Sequence, residues 1–423
     1  MIVELINTGS ELMLGRVLNT HQQWLCRQLA DLGYVVTRQV AVPDTAGDIG
    51  QTVREALARA DLVIVTGGLG PTSDDLTRDL VAQLLGKKLR EDVAVLAHIR
   101  HFFESRQRPM PERTQVQALV PEGATVLPNP HGTAPGLAME LRPNPFRAGG
   151  QPSWLIMLPG PPRELRPMFA DSVAPLLQRV LPQASAFVCR TLRTTGIGES
   201  VVQGRIGGPL HRWVKAGLDL GYCARPGQVD VRLAAAGGDA EQRVREAEAV
   251  VRELLHPHIY GLDDEDLETV IVRLLTERKA TLAIAESCTG GCIAHRITNV
   301  PGASAVLLAG LVTYSNAAKQ KFLGVHAATL ARHGAVSEAV AREMAEGARQ
   351  HTQADYTLAV TGIAGPSGGT PEKPVGTVLI GLAGPTGTVI ERNFNLYDRE
   401  TFKQVTAQQA LDLLRRIMLS SKR

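Results

Sequence analysis

The stretch from Ala60 to Thr72, ADLVIVTGGLGPT, constrains this chain more than any other. An unbroken apolar run, Leu62-Val63-Ile64-Val65, passes directly into a glycine-rich loop. A strand with no polar face must be covered on both sides, which is the situation of a parallel sheet flanked by helices. The neighbouring sequence supplies those helices. IVELINTG reads as a buried strand, Asn19–Leu32 as an amphipathic helix ended by Gly33, Tyr34–Val42 as a second strand and Asp48–Arg59 as a helix. The device recurs once. Val360-Thr361-Gly362-Ile363-Ala364-Gly365-Pro366-Ser367 shares VTGxxGP[TS] with the first loop, but the flanking sequences do not repeat, so two regions converge on one turn rather than duplicating a domain.

Three blocks follow from this pattern, in line with 423 residues at roughly 150 per domain. The first, 1–169, carries the strands above and a proline-rich exit at Leu158-Pro159-Gly160-Pro161-Pro162. The second, 170–262, reads as a small α+β module with strands Phe187–Thr195 and Gln228–Ala236 and helix Ala240–Leu254. The third, 263–423, begins at the acidic run Asp263–Asp266. It offers helix Leu267–Lys279 and strands Thr281–Ala285, Leu308–Tyr314 and Tyr356–Val360. A strand pair, Thr377–Ala383 and Thr388–Leu396, precedes a closing helix of about Arg399–Leu419.

Composition narrows the function classes. The net charge is +3 and aromatics are 4%, which argues against a dedicated nucleic-acid binder and against a platform of stacked bases. The longest apolar stretch, Ala303–Tyr314, falls short of the roughly 20 residues a membrane span requires. Five scattered cysteines without a CxxC, and a first segment lacking a basic secretory n-region, point to a reducing cytoplasm.

Four clusters carry chemistry. In the first block, Gly67, Gly68 and Gly70 with Thr72 form a loop whose N–H groups suit a phosphate, and Asp74 and Asp75 beside an anion make sense through a divalent cation. The bland alternative makes Asp75 a helix N-cap for Leu76–Leu84. Thr8, Gly9, Ser10 and Glu11, together with Asn19 and Asp44, belong to the same carboxyl edge of the sheet, where open α/β folds bind ligands. In the third block, Glu286, Ser287, Thr289 and Gly290 of AESCTGG resemble a strand-to-helix anion cradle, while Cys288 lacks a partner histidine. Ser304, Tyr314 and Lys319 offer a hydroxyl and a lysine that desolvation would turn into a base; alternatively Ser304 caps a helix and Lys319 is solvated. The fourth cluster is TGIAGPSGG, with Thr361 and Gly362. His256-Pro257-His258 lacks a third metal ligand, and Gly204-Arg205-Ile206-Gly207 is a short match to the GxxG of KH modules.

AESCTGG, PGAS, VTYSNAAK, LGV, HGAVSE, MAEGAR, AVTGIAGPSGG and KPVGTV, in that order, resemble the C-terminal domain of the CinA family. TGSELMLG, GGLGPTSDDLTRD, NPHGTAPG and LPGPPREL resemble its N-terminal part. The resemblance implies an α/β chain of three parts: a molybdopterin-binding-like α/β/α sandwich, a KH-type linker and an α/β/α deamidase domain. It implies hydrolysis of nicotinamide mononucleotide to nicotinate mononucleotide and ammonia, with Ser304 as nucleophile, Lys319 as general base and Tyr314 assisting. Glu286, Ser287, Thr289, Gly290, Thr361, Gly362 and Arg399 would contact that substrate, with Lys403 a rival for the basic contact. For the first block it implies cleavage of ADP-ribose to AMP and ribose 5-phosphate. Glu11, Asp44, Asp74 and Asp75 would hold Mg, Mn or Co, with a monovalent cation as an optional companion. Thr8, Gly9, Asn19, Gly67, Gly68, Gly70 and Thr72 would hold the nucleotide, and the deamidase would need no cofactor. Ser10 stands where molybdopterin relatives often carry Asp, which puts a metal role there in doubt. The expected partners are small nucleotides and a second copy of the chain, without membrane or nucleic acid. Two other readings stay open: a deamidase with a vestigial nucleotide-binding domain, and an adaptor in competence or the DNA-damage response.

Overall fold

The structure, a computed structural model, describes residues 1–182 and 187–420. It divides into two compact units, Met1–Val188 and Cys189–Arg423.

The first unit contains strands β1 (Val3–Thr8), β2 (Arg38–Val42), β3 (Leu62–Thr66), β4 (Leu89–Glu91), β5 (Leu119–Pro121), β6 (Thr125–Leu127), β7 (Gly136–Leu141) and β8 (Ser153–Leu158). Six of them form one sheet in the order β2-β1-β3-β8-β7-β6, while β4 and β5 pair separately. β2, β1, β3 and β8 are parallel; β7 and β6 add an antiparallel edge. The apolar run is buried on both faces as its composition requires. Val63 and Val65 join Ile6 and helix Ala46–Leu57 in one core. Leu62 and Ile64 join Leu5 and helix Thr20–Asp31 in the other. The expected boundary at residue 169 moves. Phe169, Val173 and Leu177 are buried in that second core, so the helices Pro162–Met168 and Ala174–Val180 belong to the first unit. Burying side chains of this size contributes about 1.5–3 kcal/mol each, enough to fix where the unit ends.

The second unit holds two sheets. β9 (Phe187–Thr195), β10 (Asp219–Arg225), β11 (Gln228–Ala236) and β12 (Ile259–Leu262) are ordered β10-β11-β9-β12. β13 (Leu282–Glu286), β14 (Leu307–Val312), β15 (Tyr356–Gly362), β16 (Thr377–Gly384) and β17 (Gly387–Phe394) are ordered β14-β13-β15-β16-β17. β14, β13 and β15 are parallel and the last two strands antiparallel. Helices Leu267–Arg278 and Arg399–Ser420 cover one face through Leu282 and Ile284; helix Glu338–Thr352 covers the other through Ala285 and Ala359. The middle block is bonded to the third. Buried Arg415 pairs with Asp412 and donates to the carbonyls of Pro257 (2.8 Å) and Ile259 (3.3 Å), and Arg193 reaches Asp266 at 2.8 Å. Among the described residues no helix is long and apolar enough to cross a membrane.

Candidate active sites

In the second unit, parallel β13, β14 and β15 bring Glu286, Val312 and Gly362 to one edge. Ser287 follows β13 directly, and its N–H donates to Val360 O at 3.0 Å. Beyond β14 the chain turns into helix Asn316–Leu323, whose N-cap Ser315 accepts from Ala318 N. That turn aims Lys319 back into the protein. Lys319 is only 1% exposed, and its Nζ lies 3.0 Å from Ser287 Oγ, 2.8 Å from Thr313 O and 3.3 Å from Tyr314 O. Among the described residues no carboxylate forms a salt bridge with it. Burial therefore lowers the pKa of the amine below the usual lysine range, against a smaller opposing pull from Cys288. A neutral amine has two N–H groups and one lone pair. Two carbonyls can only accept, so they take the N–H groups, and the lone pair faces the hydroxyl, which can donate. Ser287 is buried as well, at 8% exposed.

Ser304 does not meet Lys319. It sits in the turn Ala303–Ala305, which precedes β14, so it lies at the opposite end of that strand and is exposed. The hydroxyl that the structure brings to Lys319 is that of Ser287, where the sequence led to Ser304. Tyr314 contributes its carbonyl to Lys319; its ring is 60% exposed, and its hydroxyl accepts from Arg399 Nη2 at 2.8 Å. Arg399 also donates to Gly365 O at 3.0 Å, tying the TGIAGPSGG loop to the rim. Glu286 is engaged elsewhere. Its carboxylate is buried and accepts from the N–H groups of Gly291 (3.0 Å), Ile293 (3.1 Å) and Ala294 (2.9 Å), so it holds the start of helix Cys292–Thr298 instead of facing a substrate. The Thr361 hydroxyl is likewise spent on Ala335 O at 2.9 Å, leaving its main chain and Gly362 at the strand end. Thr289 is buried with an unpartnered hydroxyl, and Lys403 Nζ stands beside Gly290. Burial pushes the Cys288 thiol up to about 12, which removes it as a nucleophile at neutral pH. In the loop, Ser287 N, Gly290 N, Gly291 N and Cys292 N are all engaged, while the N–H groups of Cys288 and Thr289 are used by none of these bonds.

The first unit has a cleft of about 360 Å³ at the carboxyl ends of its parallel strands. Thr8, Gly9, Glu11, Asp44, Gly67, Gly68, Gly70, Asp74 and Asp75 line it, as does Glu164, which the sequence patterns did not single out. A Cβ on Gly68 would stand 2.1 Å from Thr77 Oγ1, so the loop packs onto its helix only as glycine. Asp75 is not a helix cap: Leu76 precedes helix Thr77–Leu84, and Asp75 instead accepts from Thr72 N (2.9 Å) and the Thr72 hydroxyl. The same Thr72 hydroxyl, its one proton shared between the two carboxylates, also holds the exposed Asp74 below the usual carboxylate range. Asp44 and Ser10 bond reciprocally, Ser10 N to Asp44 Oδ2 at 2.7 Å and Asp44 N to Ser10 Oγ at 3.1 Å. Asn19 lies outside the cleft lining; it caps helix Thr20–Asp31 by accepting from Gln22 N at 3.1 Å. Among the described residues no three His, Cys, Asp or Glu side chains assemble into a metal cage. The carboxylates fit the other mode of binding hard cations, in which one or two of them share the ion with phosphate oxygens and water.

Residues 264–418 match the family described as CinA C-terminal domain, 4–179 that described as Probable molybdopterin binding domain, and 189–261 that described as Damage-inducible protein CinA KH domain. A CinA-like protein of Akkermansia muciniphila is 45% identical over 410 residues, 97% of this chain and 95% of the relative. The chain belongs to the CinA family. A CinA-like protein of Kosmotoga olearia, 41% identical over 99% of both chains, agrees. The solved structure of competence/damage inducible protein CihA from Agrobacterium tumefaciens is 40% identical, covering 36% of this chain and 93% of that one with a TM-score of 0.35. The family's middle domain is called KH, yet here Gly204–Gly207 lies inside helix Glu199–Lys215, so the GxxG match is not a loop. The signal that would have found Ser287 was present in the sequence: it follows its strand, as Tyr314 and Lys319 follow theirs, whereas Ser304 precedes its strand.

Proposed function

We propose that the second unit hydrolyses the carboxamide of nicotinamide mononucleotide with Ser287 as nucleophile and Lys319 as general base. The observation that carries the reading is the 3.0 Å contact between Ser287 Oγ and the buried Lys319 Nζ. Neutral Lys319 takes the hydroxyl proton as Ser287 Oγ bonds to the carboxamide carbon. The oxyanion is met by main-chain N–H groups, for which Cys288 and Thr289 are the available donors. Lys319 then returns the proton to the departing nitrogen and ammonia leaves. Water, deprotonated by the same amine, attacks the acyl-enzyme and releases nicotinate mononucleotide. Arg399, with Tyr314 at the exposed rim, is positioned for the substrate's anionic end. The test is ammonia release from nicotinamide mononucleotide: Lys319→Ala should be inactive while folded, and turnover at the wild-type rate would sink the reading.

For the first unit the reading is hydrolysis of ADP-ribose on the glycine loop. A divalent cation shared between the carboxylates Asp44, Glu11, Asp74 or Asp75 and the pyrophosphate would neutralise charge as the bond breaks. The chain's own part is to hold the phosphates on Gly67–Gly70 and to lock that loop through Thr72 and Asp75. Release of AMP with Mg²⁺, Mn²⁺ or Co²⁺ present tests it.

A further inference from the structure

A cavity of about 570 Å³ opens in the second unit between the start of helix Glu338–Thr352 and the first residues of β16. Ser287, Lys319 and Arg399 are not among the residues that line it. Alternation along β16 decides what faces it. Val378 and Ile380 belong to the core on one side of the sheet, so Thr377 and Leu379 point to the other side, where the cavity lies. On the neighbouring strand Arg392 stands opposite Leu379.

Three kinds of polar group converge there. The first is cationic. Lys373 Nζ donates to His333 O at 2.6 Å and Arg392 Nη2 to Glu372 O at 3.4 Å, and among the described residues neither forms a salt bridge. The second is the helix start. Ser337 caps it by accepting from Val340 N at 3.3 Å, while the N–H groups of Glu338 and Ala339 are used by none of these bonds. Free N–H groups at the positive end of a helix favour an anion. The third is buried. Thr377 is 2% exposed and lines the cavity, and its hydroxyl makes no hydrogen bond among the described residues. A buried hydroxyl without a partner costs about 1–3 kcal/mol, so this one points to a ligand.

Two carboxylates, Glu338 and Glu372, complete the polar lining. They repel a bare phosphate, but they accept hydrogen bonds, and the hydroxyl groups of a sugar donate them. We propose that this cavity binds a sugar phosphate. The phosphate lies against Arg392, Lys373, the Thr377 hydroxyl and the first turn of the helix, and the sugar hydroxyls donate to Glu338 and Glu372. The ligand grips the TGIAGPSGG loop at its far end. Ile363 N donates to Thr377 O and Gly376 N to Ile363 O, both at 2.8 Å, and Arg399 holds Gly365 of the same loop. The proposal goes beyond the carboxamide reading and does not depend on it.

Hydrogen–deuterium exchange on the full-length protein reads the site locally. Ribose 5-phosphate, glucose 6-phosphate and fructose 6-phosphate are the probes, with inorganic phosphate and glucose as controls. At least one sugar phosphate should slow exchange at Glu338 and Ala339 and across residues 370–376, with an apparent affinity at least tenfold above both controls. Thr377→Val and Arg392→Gln should each weaken that affinity by about tenfold or more, the loss expected of one hydrogen bond to a charged group, and Thr377→Ser should restore it. No protection of these segments by any of the three sugar phosphates would overturn the proposal. Inorganic phosphate binding as tightly as the best of them would overturn it too, and that comparison stands even where Thr377→Val does not fold. Undiminished affinity in a folded Arg392→Gln would also overturn it. Ammonia release plays no part in the readout, so the deamidase reading stands or falls separately.

Discussion

Exchanging two serines gives the sharpest test of the deamidase geometry. Ser287 Oγ touches Lys319 Nζ, the proposed base, whereas Ser304 is divided from it by the length of β14, whose six residues at about 3.3 Å each span roughly 20 Å. No rotamer of a two-bond side chain covers that distance. Ser287→Ala removes the only hydroxyl in contact with Lys319 Nζ among the described residues, and loss of a catalytic nucleophile costs on the order of 10⁴-fold or more in kcat. Ser304→Ala, at an exposed turn, should stay within about twofold of wild type. The assay is steady-state ammonia release from nicotinamide mononucleotide, with a thermal melt of each variant to establish folding. A Ser287→Ala enzyme that keeps a tenth of the wild-type kcat, or a Ser304→Ala enzyme that loses as much as Ser287→Ala, would refute the assignment.

Other outcomes follow from the same contacts. Lys319→Met should abolish ammonia release yet raise stability by about 1 kcal/mol, since a buried amine gives way to a buried thioether. The gain should shrink as pH rises. The folded state holds the Lys319 pKa below its unfolded value, so between the two values the unfolded chain binds more protons and wild-type stability climbs with pH; melts at pH 6 and pH 9 check the sign. The rate should rise with pH along an acidic limb set by a group titrating below ordinary lysines, and Lys319→Met should show no such limb at any residual rate. An unshifted lysine would be neutral in only about one molecule in 2,500 at pH 7, so lowering the pKa is what makes the base usable. Asp75→Ala frees Thr72 and should cut ADP-ribose cleavage at least tenfold while leaving ammonia release unchanged, as the two proposed sites lie in separate compact units.

Much of the frame was legible where one force dominates. β3 is an apolar run and β1 is buried along its whole length, and the helix Arg399–Ser420 keeps its length because twelve of its residues are buried. β10 was missed: DLGYCAR mixes a glycine with polar groups and pairs with β11 through main-chain bonds, which leave no hydrophobic period. The boundary at 169 failed because the proline-rich exit reads as a linker, while Phe169 and Leu177 are drawn back into the core behind it. At the site, the sequence carries residue types but not the directions of their side chains. Glu286 in a glycine loop has the composition of a ligand contact, but three nearby N–H groups claim its oxygens first. Lys319 has the composition of a surface residue, and only the turn after β14 shows that it points inward.

That turn has a further consequence. Thr313 N donates to Glu286 O, Ser287 N to Val360 O, and Lys319 is held by the carbonyls of Thr313 and Tyr314. The spacing of serine and lysine is thus wired through atoms of the peptide chain, which every amino acid brings with it. Outward positions on β14 such as Leu308 and Val312 are free to diverge without moving the pair. The surface around this pair can be rewritten, in nature or at the bench, while the distance on which the proposed reaction depends stays the same.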